Sequence, residues 1–195
     1  MISFIKGKIV DKNPAFVVLE NNSIGYHINI SLNTFGQIQE MTECQLYTHY
    51  YISNEQLPIL FGFYEIAERN IFLELIKVSG VGTNTARVIL SGHNPFAIQQ
   101  AVLNNDINLL KSIKGIGAKT AQRLVLELRD KFDKITGLDG SPEKVSHTHT
   151  EEALSALLML GFNRSKALSA LNKVKKNNAG ISSIEDLVKE SLKIL

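Results

Sequence analysis

Two copies of one short pattern decide the fold of this chain: SGVGTNTA at residues 79–86 and KGIGAKTA at residues 114–121. In each copy, a run with the apolar period of a helix ends at the first glycine, and a second helical run starts directly after the second glycine. The pattern therefore predicts two units, each made of a helix, a tight hairpin and a helix.

The glycines of these hairpins point to an anionic ligand. Gly80, Gly82, Gly115 and Gly117 are predicted to adopt positive φ and to bring the backbone close to a ligand, because no Cβ stands in the way. The N–H groups that follow lie at a helix N-terminus, where they lack intrahelical partners and attract anions such as phosphate. The apolar residue between each pair of glycines is predicted to pin its hairpin to the core.

Two other interpretations of the glycines are possible. A dinucleotide-binding loop would follow a strand and carry a third glycine three residues after the second. Here the pattern follows amphipathic helices, and Thr85 and Thr120 stand at that position. Alternatively, each glycine is only a helix C-cap between packed helices. That interpretation accounts for one copy, but it accounts poorly for two copies that match at both glycines, the threonine and the alanine.

The charge distribution also favours an anionic ligand. The chain has 195 residues, 44% of them hydrophobic, and a net charge of +2, which suits two or three small domains. Residues 1–63 hold three basic and five acidic side chains, residues 64–138 hold ten and seven, and residues 139–195 hold eight and seven. The positive excess therefore lies on the segment with the two hairpins, where phosphate binding needs it.

Cysteine content and hydropathy indicate the compartment. The single cysteine, Cys44, excludes an internal disulfide framework and favours a reducing compartment. The chain contains no apolar run of about 18 residues and no basic segment followed by an apolar one at its start. We therefore expect a cytoplasmic protein.

The fold class predicted from the remaining segments is α+β with several domains. Residues 1–63 contain five short β-branched or aromatic runs, separated by turns and by the 31–44 connection, and they favour a five-stranded OB-like barrel. A barrel used only for oligomer contacts remains an alternative to one that handles nucleic acid. The runs are 2–10, 16–20, 24–30, 45–52 and 59–63.

The rest of the chain is predicted to be helical apart from one linker. Residues 64–138 form the tandem helix-hairpin-helix domain, in which Asn94 and Asp106 are N-caps. Residues 139–149 have no apolar period and are predicted to be a flexible linker. Residues 150–195 are predicted to form a three-helix bundle similar to ubiquitin-associated (UBA-like) domains.

The whole chain resembles the RuvA family, the Holliday-junction-recognition subunits of bacterial branch-migration complexes. The resemblance implies a homotetramer, one or two per junction, that holds an unfolded four-way DNA junction. It also implies that the RuvB ATPase docks on the third domain and that the RuvC resolvase joins a larger complex. Besides the two hairpins, the matching motifs are GKI at 7–9, IGY at 24–26, THY at 48–50, LFGF at 60–63, FLELIK at 72–77 and LGF at 160–162.

The resemblance assigns roles to individual residues. It places partner contacts on the loop formed by Leu160, Gly161 and Phe162. It places DNA backbone contacts on both hairpins and one turn further along the last helix. These DNA-binding residues are Ser79, Gly80, Val81, Gly82, Thr83, Asn84, Lys114, Gly115, Ile116, Gly117, Ala118, Lys119 and Arg123.

The chain departs from the family pattern at two places. The family's acidic pin, a pair of adjacent carboxylates near the junction crossover, falls on Asn54 and Glu55, so only one of the two is acidic. Carboxylates beside crowded phosphates repel the strands and help to separate bases, whereas an amide only forms hydrogen bonds. The second departure is Ala118, where the family pattern often has lysine.

No catalytic residue, metal or cofactor is predicted. His147 and His149 lack a third ligand at a workable spacing, and the phosphate-loop motif GxxxxGK[ST] is absent. Two functions remain: a non-catalytic junction-binding subunit coupled to an ATPase, or a repair enzyme such as a glycosylase that grips DNA with helix-hairpin-helix elements. The second requires a nucleophile soon after the second hairpin, facing a base pocket. The candidates there, Lys131 and Asp133, are predicted to be solvated.

Overall fold

The computed structural model describes residues 2–52, 57–132, 149–177 and 183–195. The chain divides into two compact units, Met1–Pro142 and Glu143–Leu195. The first unit contains a β-barrel and both glycine hairpins, and the second is a small helical bundle.

Five strands form the predicted barrel, and the barrel is closed in the order β1-β2-β3-β5-β4. All neighbouring pairs are antiparallel except β3 and β5, which pair in parallel through Asn29 and Phe61. The barrel core consists of alternating apolar side chains such as Val17, Leu19 and Leu46, all fully buried. The strands are β1 (Phe4–Asn13), β2 (Phe16–Asn21), β3 (Ile24–Asn29), β4 (Glu43–Ile52) and β5 (Pro58–Phe63).

A helix that the sequence pattern did not predict, α1 (Leu32–Ile38), lies in the connection between β3 and β4. Ser31 caps it, since its hydroxyl accepts a hydrogen bond from the N–H of Thr34 at 3.0 Å. Only Thr34 and Ile38 of this helix are buried. Seven residues are too few to establish a helical period, so the pattern carried no usable signal.

In the described part of the first unit, five helices follow the barrel: α2 (Ile66–Leu75), α3 (Thr83–Gly92), α4 (Pro95–Leu103), α5 (Ile107–Ser112) and α6 (Ala118–Phe132). The two predicted N-caps are confirmed, because Asn94 accepts from the N–H of Ala97 at 2.7 Å and Asp106 accepts from that of Leu109 at 3.0 Å. These helices share one apolar core, which also includes Phe61 and Phe63 of strand β5.

The barrel and the helices are joined by an aromatic contact. Phe61 and Phe63 of β5 are buried in the helical core, with ring centroids 5.2 and 4.9 Å from that of Phe72 on α2. Such rings contribute large apolar areas to a core. The hairpin helices therefore pack against strand β5 of the barrel.

The second unit is a bundle of three helices: α7 (His149–Met159), α8 (Arg164–Asn177) and α9 (Ile184–Leu192). It has its own core, which includes Leu157, Leu171 and Leu187. Helix α7 begins at His149, the last residue of the predicted linker, and the rest of that linker lies outside the described residues. Across the described ranges, no helix has the length and apolar character needed to cross a membrane.

Candidate nucleic-acid interface

The two hairpins are built by the same hydrogen bonds. In the first, the N–H of Val81 donates to the carbonyl of Val78 at 3.0 Å, and α3 begins with a 2.9 Å bond from Ala86 to Gly82. In the second, the corresponding bonds are from Ile116 to Ile113 at 3.0 Å and from Ala121 to Gly117 at 2.9 Å. The sequence repeat is therefore a structural repeat.

The four hairpin glycines do not share one conformation. Gly80 and Gly115 have φ values of 91° and 92°, as predicted for residues that follow the end of a helix. The prediction is wrong for Gly82 and Gly117, which lie outside the positive-φ region; Gly82 has φ −80° and ψ 172°. The second glycine of each pair precedes the first residue of the next helix, and N-cap residues take extended backbone angles.

The second glycine of each hairpin instead faces open space. A Cβ added to Gly82 or Gly117 would meet no atom within 4 Å. The first three N–H groups of the next helix, at residues 83–85 and 118–120, donate to no acceptor among the described residues. Each hairpin thus presents unpaired backbone donors beside a surface without side chains, an arrangement suited to phosphate oxygens.

The apolar residues at the centre of the hairpins point away from that surface. Val81 is 3% exposed and Ile116 is 5% exposed, and both belong to the helical core. The prediction that they pin the hairpins is confirmed. Consequently, Val81 and Ile116 could contact DNA only through their backbone. Residues Ser79, Asn84 and Ala118 are exposed, so their side chains are accessible as well.

Direct contacts join the two hairpins. Arg123 on α6 donates from Nη1 to the carbonyl oxygen of Ser79 at 3.1 Å, and its Nε lies 3.8 Å from a carboxylate oxygen of Glu127. A Cβ on Gly80 would stand 4.0 Å from the hydroxyl of Thr120. Arg123, predicted to contact DNA, therefore also fixes the first hairpin to the helix of the second.

The hairpins differ in charge. Residues 79–86 contain no basic side chain, whereas Lys114 and Lys119 flank the second hairpin. Both lysines are exposed, and neither has an ion-pair partner in the part of the chain that the structure describes. The first hairpin thus offers N–H and hydroxyl donors alone, while the second adds two free cations.

The predicted partner loop lies between α7 and α8. Gly161 has φ 94°, and the N–H of Phe162 donates to the carbonyl of Leu157 at 3.1 Å, which closes the end of α7. Phe162 packs against the bundle core, while Leu160 is 60% exposed. Met159, which sequence reasoning did not single out, is 87% exposed beside it. The available signal in the sequence was the uninterrupted apolar run LLML at residues 157–160, which is longer than one face of a helix needs.

The remaining predicted sites lie partly outside the described residues. Asn54 and Glu55 lie outside the described residues, between the paired strand ends at Ile52 and Pro58. Among the residues that the structure describes, no group of three or more His, Cys, Asp or Glu side chains could hold a metal ion. Of the two nucleophile candidates, Lys131 pairs with Glu74, its ammonium group lying 3.6 Å from the carboxylate, and Asp133 lies outside the described residues.

Comparison with known proteins covers nearly the whole chain. Family models match at residues 1–62 (RuvA N terminal domain), 72–130 (SAM-like helix-hairpin-helix tandem) and 148–195 (RuvA, C-terminal domain). Relatives named Holliday junction branch migration complex subunit RuvA occur in Christiangramia forsetii, with 46% identity over 195 residues, and Cytophaga hutchinsonii, with 42% over 199. A third, from Bacteroides fragilis, is 39% identical over 203 residues. Each alignment covers 100% of both chains.

Proposed function

Because this chain belongs to the RuvA family, we propose that it is the DNA-binding subunit of a Holliday junction branch-migration complex. The observation that carries the proposal is the pair of matching hairpins, each with unpaired N–H groups beside an open glycine surface. In this proposal the subunit is non-catalytic, cytoplasmic and tetrameric, and each subunit grips the backbone of one duplex arm.

The chemistry of the hairpins suits shape recognition. Backbone N–H groups, the hydroxyls of Ser79 and Thr83 and the amide of Asn84 would meet phosphate oxygens, which carry no sequence information. Lys114 and Lys119 would add charge at the second hairpin. Arg123 would keep the two grips at a fixed separation, because it ties Ser79 to α6.

Each predicted domain would have its own role in this function. The barrel (1–63) would form the tetramer and the junction centre, residues 64–138 would hold DNA, and residues 150–195, beyond the 139–149 linker, would dock the RuvB ATPase. RuvC resolvase would act on the junction in a larger complex. The exposed pair Met159 and Leu160 supports the docking role of the third segment, since exposed apolar neighbours favour protein contacts.

A gel-shift comparison tests the function most directly. A four-way junction and a linear duplex of the same sequence and total length would be titrated with the protein at matched salt. We expect the junction to bind more tightly. Equal affinities would overturn junction recognition, and release of a damaged base from the duplex would favour a glycosylase instead.

Salt dependence should locate the charged contacts. The logarithm of affinity should fall linearly with that of salt concentration, by about 0.9 for each neutralised phosphate. Replacing both Lys114 and Lys119 with Gln should make this slope shallower by about two for each engaged subunit. Replacing Lys173 and Lys176 of α8, also exposed and unpaired among the described residues, should leave it unchanged. Equal slopes for parent and hairpin variant would show that these lysines do not contact phosphate.

With a single carboxylate, the pin should discriminate against linear duplex less strongly than a pin of two carboxylates would. Each negative charge at a junction centre repels crowded phosphates and penalises a duplex threaded across it. Asn54→Asp should therefore raise the ratio of junction affinity to duplex affinity at low salt, and Glu55→Gln should lower it. Both changes should shrink as salt screens the charges. Glu40→Gln, at an exposed carboxylate elsewhere on the barrel, serves as the control. If neither pin variant moves the ratio, this loop has no electrostatic role.

A further inference from the structure

A buried carboxylate lies where the barrel meets the first hairpin helix. Glu68 of α2 is fully buried, and both of its oxygens accept hydrogen bonds from the barrel side. The Ser31 hydroxyl donates to Oε1 at 2.5 Å, and the Thr34 hydroxyl donates to Oε2 at 2.7 Å. The two donors belong to the start of α1, whose Ile38 packs in the barrel core, so the carboxylate ties α2 to the barrel through α1.

Backbone hydrogen bonds fix both hydroxyls in turn. Ser31 accepts from the N–H of Thr34 at 3.0 Å, and Thr34 accepts from the N–H of Tyr64 at 3.1 Å. Each hydroxyl therefore has its proton directed toward Glu68. Burial raises the pKa of the Glu68 carboxyl, while these hydrogen bonds lower it. An apolar side chain could fill this site without the desolvation cost, but it would give the contact no direction.

A second tie holds the other helix of the first hairpin. Arg87 of α3 donates from Nη1 to the carbonyl of Ala15 at 3.1 Å and to Oδ1 of Asn29 at 3.0 Å. Ala15 precedes β2 and Asn29 ends β3, so the guanidinium joins α3 to the barrel rim. Ser91, one turn later, accepts from the N–H of Leu32 at 3.1 Å. Both helices that flank the first hairpin are therefore anchored by directional bonds.

We propose that these two ties, Glu68 with Ser31 and Thr34 and Arg87 with Ala15 and Asn29, set the angle of the hairpins on the barrel and thereby the preference for a junction over linear duplex. The inference rests on the proposed function. A linear duplex needs only the hairpins themselves, whatever their angle. A junction held at the barrel requires the hairpins of several subunits to meet separate arms together. The aromatic contact around Phe72 contributes mainly apolar burial, which depends less on direction than the hydrogen bonds of the two ties do.

The test separates positioning from folding. Thr34→Val keeps the volume of the side chain but removes the hydroxyl, whereas Thr34→Ser keeps it. Thr34→Val, Glu68→Gln and Arg87→Met should each lower junction affinity about tenfold or more, because each variant removes at least one hydrogen bond of a tie. Linear-duplex affinity should stay within about twofold of the parent. Thr34→Ser and the exposed control Glu40→Gln should match the parent in both assays.

A measurement without DNA checks the angle itself. Spin labels would be attached to Lys8→Cys on β1 and Asp130→Cys on α6, and the labelled subunits would be diluted with unlabelled protein. The distribution of distances between the two labels should be broader in the tie variants than in the parent. Native Cys44 should resist labelling, because burial raises its pKa to about 11. Unchanged distances and an unchanged affinity ratio would overturn the proposal. A parallel fall of both affinities and of Tm would also overturn it, since it would show that the ties serve folding alone.

The outcomes separate this inference from the function on which it rests. A parent protein without junction preference would contradict the proposed function, while the distance distributions would still decide whether the ties fix the angle. If Glu68→Gln does not fold, Thr34→Val and Arg87→Met decide the result at the same two ties.

Discussion

Gly117→Val is expected to remove most junction binding while leaving the protein folded. A Cβ at this position meets no atom within 4 Å, and the backbone does not have positive φ, so the folded state gains neither a clash nor strain. The valine branch would instead occupy the space beside the N–H groups of residues 118–120. Losing those donors should cost about 2–3 kcal/mol for each engaged subunit, roughly a hundredfold in affinity.

Two other glycines provide the controls for this substitution. Gly92→Val, at the end of α3, also enters open space but lies outside the hairpins, so it should bind junctions like the parent. Gly115→Val should lose affinity and also stability, by about 1–3 kcal/mol, because a branched residue is strained at φ 92°. Affinity would be measured by titration and stability by thermal unfolding. If Gly117→Val loses stability in step with affinity, the glycine is structural and the phosphate surface loses its main support.

Much of this architecture could be predicted because its signals are local. A helical period that stops at a glycine pair, or an Asn-Pro that opens α4, involves residues within one or two turns of each other. Five short β-rich runs predicted a five-stranded barrel, but only the strand pairing shows that it is closed. Helix α1 escaped because seven residues with two buried positions do not establish a period.

The ties between barrel and helices could not be predicted, for a different reason. Ser31 and Glu68 are 37 residues apart, and Arg87 and Asn29 are 58 apart, so no spacing rule connects them. A buried Glu in an amphipathic helix looks like an ordinary polar position until its partners are known. The positive φ assigned to Gly82 was wrong because one residue type serves two purposes in the same hairpin. A glycine can adopt the positive φ of a left-handed turn, or it can keep a surface free of side chains. The sequence alone does not show which of these two roles a given glycine has.

The sequence predicted the two hairpins of the candidate site, but not the contact that joins them. Each hairpin was recognised from its own pattern, and Val81 and Ile116 pack inward as the pattern indicated. The link between the hairpins was not foreseen, because it depends on Arg123 reaching a carbonyl oxygen 44 residues earlier. The two hairpins are therefore joined by a hydrogen bond rather than standing as two independent loops.

Removal of residues 149–195 is expected to abolish stimulation of the ATPase partner while preserving junction binding. The deletion starts at His149 because α7 begins there. Among the described residues, the barrel core and the hairpin core are built from residues 2–132, so the truncated chain should keep the cores that hold its hairpins. Junction affinity should therefore stay within about twofold of the parent.

A single substitution in the full chain should reproduce the loss of stimulation. Leu160 is 60% exposed at the turn after α7 and does not belong to the bundle core, so Leu160→Asp should leave the unit folded and place a charge on the proposed docking surface. Such a change in the centre of an interface costs about 2 kcal/mol or more, roughly thirtyfold in affinity for the motor. Ser155→Asp adds the same charge at an exposed position of α7 and should leave stimulation intact. ATP hydrolysis by the partner, measured with junction DNA, compares the variants directly. Full stimulation by the truncated chain would place the docking site on the first unit. Equal losses of stimulation for Leu160→Asp and Ser155→Asp would show that charge on the bundle, rather than its apolar turn, governs the contact.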